Sequence, residues 1–431
     1  MPPALRRQRE VSGCIKTGDI AFQCVDLCRG WHAKVAIAVY LFVLLVLPAA
    51  VRAQMPMMLD RGDGHLVGQP YTSYIGDQAY FYGDSVTVGY DPFTPNTPVP
   101  NRFSTVLSTN LHMVENNYGE GGSEIADGQS DAITQNIWVS NSTVSVWFTG
   151  YNDVFWYGDD AAGLADNLAT VESMAAWLAI PTSLRVPSSN SSGTYAVSNS
   201  VIFYGAGWSY MPRLLGGLEY SISTTPASFY FSGSTLLIGI TQVASGGGNA
   251  TVVVGDVDGS GTLLQPTETN LCSCIRTARN TGPGANPDIG NRTYSAGLVV
   301  FTNLSNARHY CFFTPQTTAN TFLGWFASYS TNQLPKVFLS GTLKAPGSDY
   351  VDYHPGAPGY TNGSAAAADI YTLMLSNAAI SLSQLGLNVK WVPAPLLNSN
   401  TDYFFDTASS DYIHPDASGH AKIASSIQSG F

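Results

Sequence analysis

The pattern of apolar and polar positions divides the chain into four stretches. Residues 35–51 form one apolar run, VAIAVYLFVLLVLPAAV. From about residue 78, short apolar runs alternate with stretches of helical periodicity. Ala79, Tyr80, Phe81 and Tyr82 read as a buried strand that stops at Gly83. Residues 100–111 then read as a helix, 113–118 as a strand, and 143–149 (TVSVWFT) as a third strand that stops at Gly150. Residues 160–180 carry apolar side chains at helical spacing and end at Pro181. This β-α-β-α order predicts a parallel sheet with helices on its faces.

The pattern breaks after Pro181. Residues 181–200 are rich in Ser, Asn and Gly and read as a linker or exposed loop. From 201 to about 329 there is no long helical pattern, only short β-type runs at 201–204, 228–231, 235–240, 251–254, 298–302 and 310–314. Turn residues separate them, a spacing that predicts an antiparallel sandwich. Alternation then resumes, with strands at 336–339 and 388–392 and helices at 364–385 and 417–428. The expected organisation is an α/β domain built from 72–185 and 332–431, interrupted by an all-β block at 195–330.

Composition narrows the partners. The net charge is −11 and no basic stripe follows residue 53, so a phosphate backbone is repelled and nucleic acid is not an expected partner. A neutral ligand such as a sugar stays compatible. Only 11% of residues are charged while Gly, Ser, Thr, Asn and aromatics abound, as in β-rich extracellular proteins. Arg29 and Lys34 precede the apolar run, and Val51-Arg52-Ala53 offers small residues at positions a signal peptidase reads. Residues 1–53 therefore read as a signal peptide, the alternative being an uncleaved single-pass anchor. Both readings export everything after residue 53, and membrane contact is expected only through this segment if it is uncleaved. Sequons at Asn141, Asn190, Asn249, Asn291, Asn303 and Asn362 agree with export.

Three cysteines follow the export segment, an odd number for an oxidising compartment. Neighbours two apart rarely bond each other, so Cys311 is expected to pair with Cys272 or Cys274. Cys24, Cys28 and His32 have helical spacing, but a fourth ligand is missing and no metal is expected there. Asp256-Val257-Asp258-Gly259-Ser260-Gly261 opens like a calcium loop, yet Thr267 stands where the closing acid belongs. A hairpin turn is the better reading.

Four segments carry the candidate chemistry. Gly83-Asp84-Ser85 follows a buried strand, and a serine at a strand end is exposed to substrate but needs a base to become nucleophilic. Asp411-Tyr412-Ile413-His414-Pro415 precedes the last helix; a carboxylate three residues before a histidine holds the imidazole tautomer and stabilises its protonated form. Asn152, in Gly150-Tyr151-Asn152-Asp153, places an amide donor at the sheet edge that carries Ser85. The loop Asn117-Tyr118-Gly119-Glu120-Gly121-Gly122 offers a glycine N–H as a further donor.

These blocks, in this order, make the chain resemble the SGNH hydrolase superfamily of GDSL-like lipases and esterases. The resemblance covers about 75–185 and 332–431 and implies a three-layer, flavodoxin-like α/β fold. It implies Ser85 as nucleophile, His414 as general base and Asp411 as its orienting acid, without metal or cofactor. Ser85, Gly122 and Asn152 would form the oxyanion hole, with Gly121 a neighbouring alternative to Gly122. No G-x-S-x-G elbow occurs, which separates the chain from ordinary α/β-hydrolases.

Asp84, Tyr151 and His354 are candidate substrate contacts. His354, in Asp352-Tyr353-His354-Pro355, sits one residue too close to its aspartate to serve as the base and follows a strand rather than preceding the last helix. His420 reads as structural or exposed, and His309 as facing solvent. The inserted block is similar to jelly-roll modules found beside carbohydrate esterases. The leading expectation is therefore a secreted esterase that removes acyl, chiefly acetyl, groups from carbohydrate. A lipase or short-chain esterase, an acyltransferase using the same residues, and a non-catalytic glycan-binding surface protein are the alternatives.

Overall fold

In the computed structural model of the chain, the described residues are 74, 76–94, 97–135, 144–188, 202–211, 218–243, 246–276, 294–330, 335–344, 363–398, 401–404 and 414–431. The apolar run at 35–51, four of the sequons (Asn141, Asn190, Asn291 and Asn362), Asp352, His354 and Asp411 lie outside them.

β1 (Gln78–Gly83) leads through a one-turn helix α1 (Ser85–Val88) to α2 (Phe103–Leu111) and β2 (Val114–Gly119). A π-helical turn (Ile125–Gln129) runs into α3 (Ser130–Gln135), followed by β3 (Val144–Phe148), α4 (Tyr151–Tyr157) and α5 (Ala161–Ala179). Eleven strands come next: β4 (Arg185–Pro187), β5 (Ile202–Tyr204), β6 (Trp208–Met211), β7 (Leu218–Ser221), β8 (Ala227–Ser232), β9 (Thr235–Val243), β10 (Asn249–Val257), β11 (Leu263–Ser273), β12 (Tyr294–Phe301), β13 (Arg308–Pro315) and β14 (Thr321–Tyr329). The chain then returns through β15 (Lys336–Gly341), α6 (Ala365–Gln384), β16 (Val389–Pro393) and α7 (Ala417–Gln428).

Five strands form a parallel sheet in the order β16-β15-β3-β1-β2. Counted within this sheet the order is 2-1-3-4-5, a doubly wound arrangement that reverses direction between β1 and β3. β1 from Ala79 onward and all of β3 are buried, as expected of near-continuous apolar runs in a sheet covered on both sides. Phe81 meets Phe103 of α2 edge-on at 6.0 Å, while Tyr80 and Tyr82 stack on Tyr118 of β2. Among the helices, α2 packs on α7 and α5 on α6. α6 turns Ala367, Ala368, Tyr371, Leu375, Ala378 and Leu382 inward, the i, i+4 stripe of a core-facing helix. Its N-cap Ser364 accepts from the Ala367 N–H, and Asp160 and Asp416 do the same service for α5 and α7.

The intervening strands form two antiparallel sheets, β11-β10-β13-β8-β5 and β12-β9-β14-β7-β6, with β4 added to β14. They pack face to face: Phe229 of β8 stacks on Phe326 of β14 at 3.8 Å, and Trp208 of β6 meets Phe313 of β13. α5 serves the sandwich as well as the parallel sheet. Its Trp177 packs edge-on against Trp325, and its Thr170 hydroxyl accepts from the Ala296 N–H at 3.1 Å. Its Asp166 carboxylate binds the Arg276 guanidinium at 2.5 Å, both side chains buried.

Three expectations for the β block need correction or detail. Cys272, Cys274 and Cys311 are all free thiols and all buried. Cys272 lies opposite Ala250 and Cys311 opposite Val254, on the two strands that flank β10. Two strand spacings, roughly 10 Å, already exceed the reach of a disulfide, whose Cα atoms lie within about 7 Å. His309 is not solvent-facing: it is fully buried, with Nδ1 2.7 Å from Asp256 and Nε2 2.8 Å from the Ser305 carbonyl. The calcium-like segment is the β10–β11 hairpin turn, in which one Asp258 oxygen accepts from Ser260 and Thr262.

Candidate functional site

The site forms where β1 and β3 end, beyond their carboxyl termini. Gly83 closes β1 at φ 151°. A Cβ there would lie 2.1 Å from the Thr87 hydroxyl and 2.2 Å from the Phe148 carbonyl of β3, so only glycine lets the two strand ends and α1 approach this closely. The Gly83 carbonyl accepts from the Glu120 N–H at 2.9 Å and from the Ser123 hydroxyl at 3.3 Å, tying in the loop after β2.

Ser85 is the first residue of α1. Asp84 is its N-cap, one carboxylate oxygen accepting from the Val86 N–H at 2.9 Å. Ser85 Oγ lies 2.9 Å from His414 Nε2, across 329 residues of sequence. The serine is 7% and the histidine 5% exposed. His414 is held at the entry to α7. Its carbonyl accepts from the Phe404 N–H, Pro415 bridges to Tyr403, and Tyr90 packs its ring 4.5 Å from the imidazole. Half-exposed Phe93 meets Phe404 edge-on, giving the histidine side an aromatic rim.

Asn152 stands one residue into α4, after β3. Its amide donates to the Ser123 carbonyl at 2.9 Å, which fixes its orientation. An amide nitrogen has two N–H groups, so this bond leaves a second to donate. Gly122 sits at φ 75° with open space around it and an exposed backbone. Among the described hydrogen bonds, none uses the N–H of Ser85 or of Gly122.

Two of the expected substrate contacts are corrected by burial. Asp84 is wholly buried beneath α1, and Tyr151 is wholly buried with its ring against Phe155, so neither side chain faces an incoming ligand. Burial pushes the Asp84 carboxyl up to about 6, against the opposing pull of the Val86 N–H and of His414. His420 is buried and structural: Nδ1 accepts from the Phe103 N–H, and burial drives the imidazole down to about 3. Asp411 and His354 lie outside the described residues.

Several supporting residues were not anticipated. Asp153, next to Asn152, accepts from the Ile125 N–H at the start of the π-helical turn and from the Asn167 amide of α5. Gln129 donates to the Ser123 carbonyl and accepts from the Trp147 indole N–H, so one buried network positions the carbonyl that orients Asn152. Asn117 spans the Thr87 carbonyl and the Ser104 hydroxyl, bracing α1. The adjacent acid after Asn152 and the polar run Ser123-Glu124 were the available signals in the sequence.

No protein-family model and no curated protein matches the chain. Among solved structures it is similar to the hemagglutinin-esterase of porcine torovirus, at 9% identity over 81% of this chain and 87% of that one, with a TM-score of 0.34. It is also similar to the hemagglutinin-esterase of infectious salmon anemia virus, at 12% identity over 82% and 79%, TM-score 0.27. A third is an active-site mutant of a family two carbohydrate esterase from Clostridium thermocellum, at 11% identity over 53% and 97%, TM-score 0.18. At such scores the likenesses carry nothing about function, which has to come from the chain's own geometry.

Proposed function

We propose that the protein is an exported serine esterase of the SGNH type that hydrolyses acyl esters, chiefly O-acetyl groups, on carbohydrate. The observation that supports this reading most is the 2.9 Å contact of Ser85 Oγ with His414 Nε2 at the reversal point of a doubly wound sheet. In this reading Ser85 Oγ attacks the ester carbonyl carbon while its proton passes to His414 Nε2. The carbonyl π electrons move onto oxygen. The N–H groups of Ser85 and Gly122 and the free N–H of Asn152 stabilise that oxyanion, each donor contributing about 3–4 kcal/mol. The tetrahedral adduct collapses, and the leaving alcohol takes the proton from Nε2. Water then repeats the sequence on the acyl-serine, with His414 again as base. Asp411, three residues ahead of His414, would accept from Nδ1–H and keep Nε2 free to accept from serine.

The carbohydrate assignment rests on the export pattern, the neutral polar composition and the β-sandwich inserted into the hydrolase segments. The purified protein and its Ser85→Ala variant are compared on an aryl acetate, a long-chain aryl ester and acetylated xylan. The expected result is acetate release from aryl acetate and xylan by the parent and none by the variant. Activity confined to the long-chain ester would make the protein a lipase. Inactivity on all three would leave glycan binding as its role.

A further inference from the structure

The sandwich has a built depression far in sequence from Ser85, on the outer face of the sheet β11-β10-β13-β8-β5. Strand register dictates its shape. Phe203 of edge strand β5 and Phe312 of β13 both pair with Ser228 of β8, one from each side. A small hydroxyl residue therefore lies between two aromatic walls separated by two strand spacings, roughly 10 Å. One pair further along, Tyr230 lies opposite Tyr310. These residues line a cavity of about 270 Å³, floored by Phe229 and Cys311. Phe203 is 60% and Tyr230 38% exposed, large apolar surfaces that a soluble β-sandwich ordinarily turns inward.

The polar groups at the depression are specific. The Tyr310 hydroxyl is committed to the Leu264 carbonyl at 2.9 Å, fixing its ring against Phe312. Arg308 flanks the depression rather than lining it: paired with Ser232, on the same face of β13, it lays its guanidinium 4.6 Å over the Tyr230 ring. No carboxylate among the described residues forms an ion pair with it. A guanidinium stacked on an aromatic ring keeps its in-plane N–H fork free and oriented, which suits a carboxylate held in two parallel hydrogen bonds. The size selects the ligand further. Drug-sized ligands occupy roughly 300–1,000 Å³, so this depression takes one ring and not a buried chain.

We propose that this face is a non-catalytic binding site for a carboxylate-bearing pyranose, a uronic acid or another acidic sugar unit. The apolar C–H face of the ring lies on Phe203 and Tyr230, the Ser228 hydroxyl binds a ring hydroxyl, and Arg308 binds the carboxylate. The site would hold an acidic glycan on the sandwich independently of chemistry at Ser85, and it does not depend on that serine being a nucleophile.

The test is calorimetric titration of the full-length protein with a galacturonic acid oligosaccharide and, in parallel, with the neutral galactose oligosaccharide of the same length. Phe203→Ala, Arg308→Gln and the parent are compared, after circular dichroism and thermal unfolding show that each is folded. Both substituted side chains are at the surface, which keeps their folding cost low. The expected result is binding of the acidic sugar weakened at least tenfold by either variant, with the neutral sugar bound at least tenfold more weakly by the parent. Equal binding of both sugars with Arg308→Gln silent would overturn the acidic class, and binding untouched by Phe203→Ala, or no binding by the parent, would overturn the site. Because no turnover is read, failure here leaves the Ser85 assay standing, and the reverse also holds.

Discussion

Replacing Gly83 by alanine adds one carbon at the point where β1, β3 and α1 converge. That Cβ would sit 2.2 Å from the Phe148 carbonyl oxygen, a backbone atom, and 2.1 Å from the Thr87 hydroxyl. Relief to an ordinary contact of about 3.4 Å requires the strand ends and α1 to part by roughly 1 Å, and φ 151° adds strain for any L side chain. Ser85 rides on α1 and Asn152 follows β3, so the gap opens between the proposed nucleophile and the proposed oxyanion donor. Misplacement of reacting groups by about 1 Å costs on the order of 100-fold in rate, or about 2.7 kcal/mol. Overpacking costs a further 1–3 kcal/mol of stability. The assay is kcat/KM on an aryl acetate beside a thermal unfolding curve. The expected outcome is a roughly 100-fold loss of kcat/KM with an unfolding midpoint only about 1–4 °C lower, so that the folded variant is the inactive species. Parent-like kcat/KM would refute the claim that this glycine sets the geometry of the site.

Asn152→Ala removes one proposed oxyanion donor and should lower kcat on aryl acetate by about 100- to 1,000-fold while KM changes little, which steady-state kinetics will read. Asp84→Asn should change the pH dependence of stability in a particular way. The folded Asp84 carboxyl, at about 6, binds a proton between pH 4 and 6 that the unfolded chain has lost, so this group stabilises the fold below pH 4 and loses that contribution as pH rises through 6. His420, at about 3, does the opposite: it stays neutral in the fold while the unfolded imidazole is protonated below about 6.5, so stability falls as pH falls through that window. The two slopes offset each other, and denaturant unfolding of Asp84→Asn between pH 4 and 6 should reveal the His420 slope of about 1.4 kcal/mol per pH unit; a flat profile would count against this pairing. Arg276→Met removes the cation 2.5 Å from the buried Asp166 carboxylate and should destabilise the protein by about 3–5 kcal/mol in the same measurement, whereas a loss under 1 kcal/mol would mean the ion pair does not join α5 to the sandwich.

Periodicity carried much of the secondary structure. The strand expected at 336–339 is β15 (Lys336–Gly341), and the helices expected at 364–385 and 417–428 are α6 (Ala365–Gln384) and α7 (Ala417–Gln428). These elements bury one regular face, which is what alternation and helical spacing report. The π-helical turn was not legible, because its reasons are long-range: Asp153 and Gln129 are held by partners 14 to 28 residues away. The helix α1, only four residues long, was too short to show periodicity. The cysteine expectation failed for a related cause. Counting thiols ignores register, and register sets Cys272 and Cys311 on opposite sides of β10. Burial of Asp84 and Tyr151 was equally hidden, since a short polar segment after a strand looks the same whether it faces solvent or caps a helix. Ser85 and His414, by contrast, announced themselves through the blocks around them, and the fold brings the two into contact.

The 329-residue separation of Ser85 and His414 has a consequence for biosynthesis. At a translation rate of about 5–20 residues per second, the serine leaves the ribosome roughly 15–65 s before the histidine does. On the proposed reading the hydroxyl is an ordinary alcohol throughout that interval, so the growing chain would pass esters in its surroundings without acylating itself. The proposed chemistry would begin only once the last strand and helix have been made and folded back.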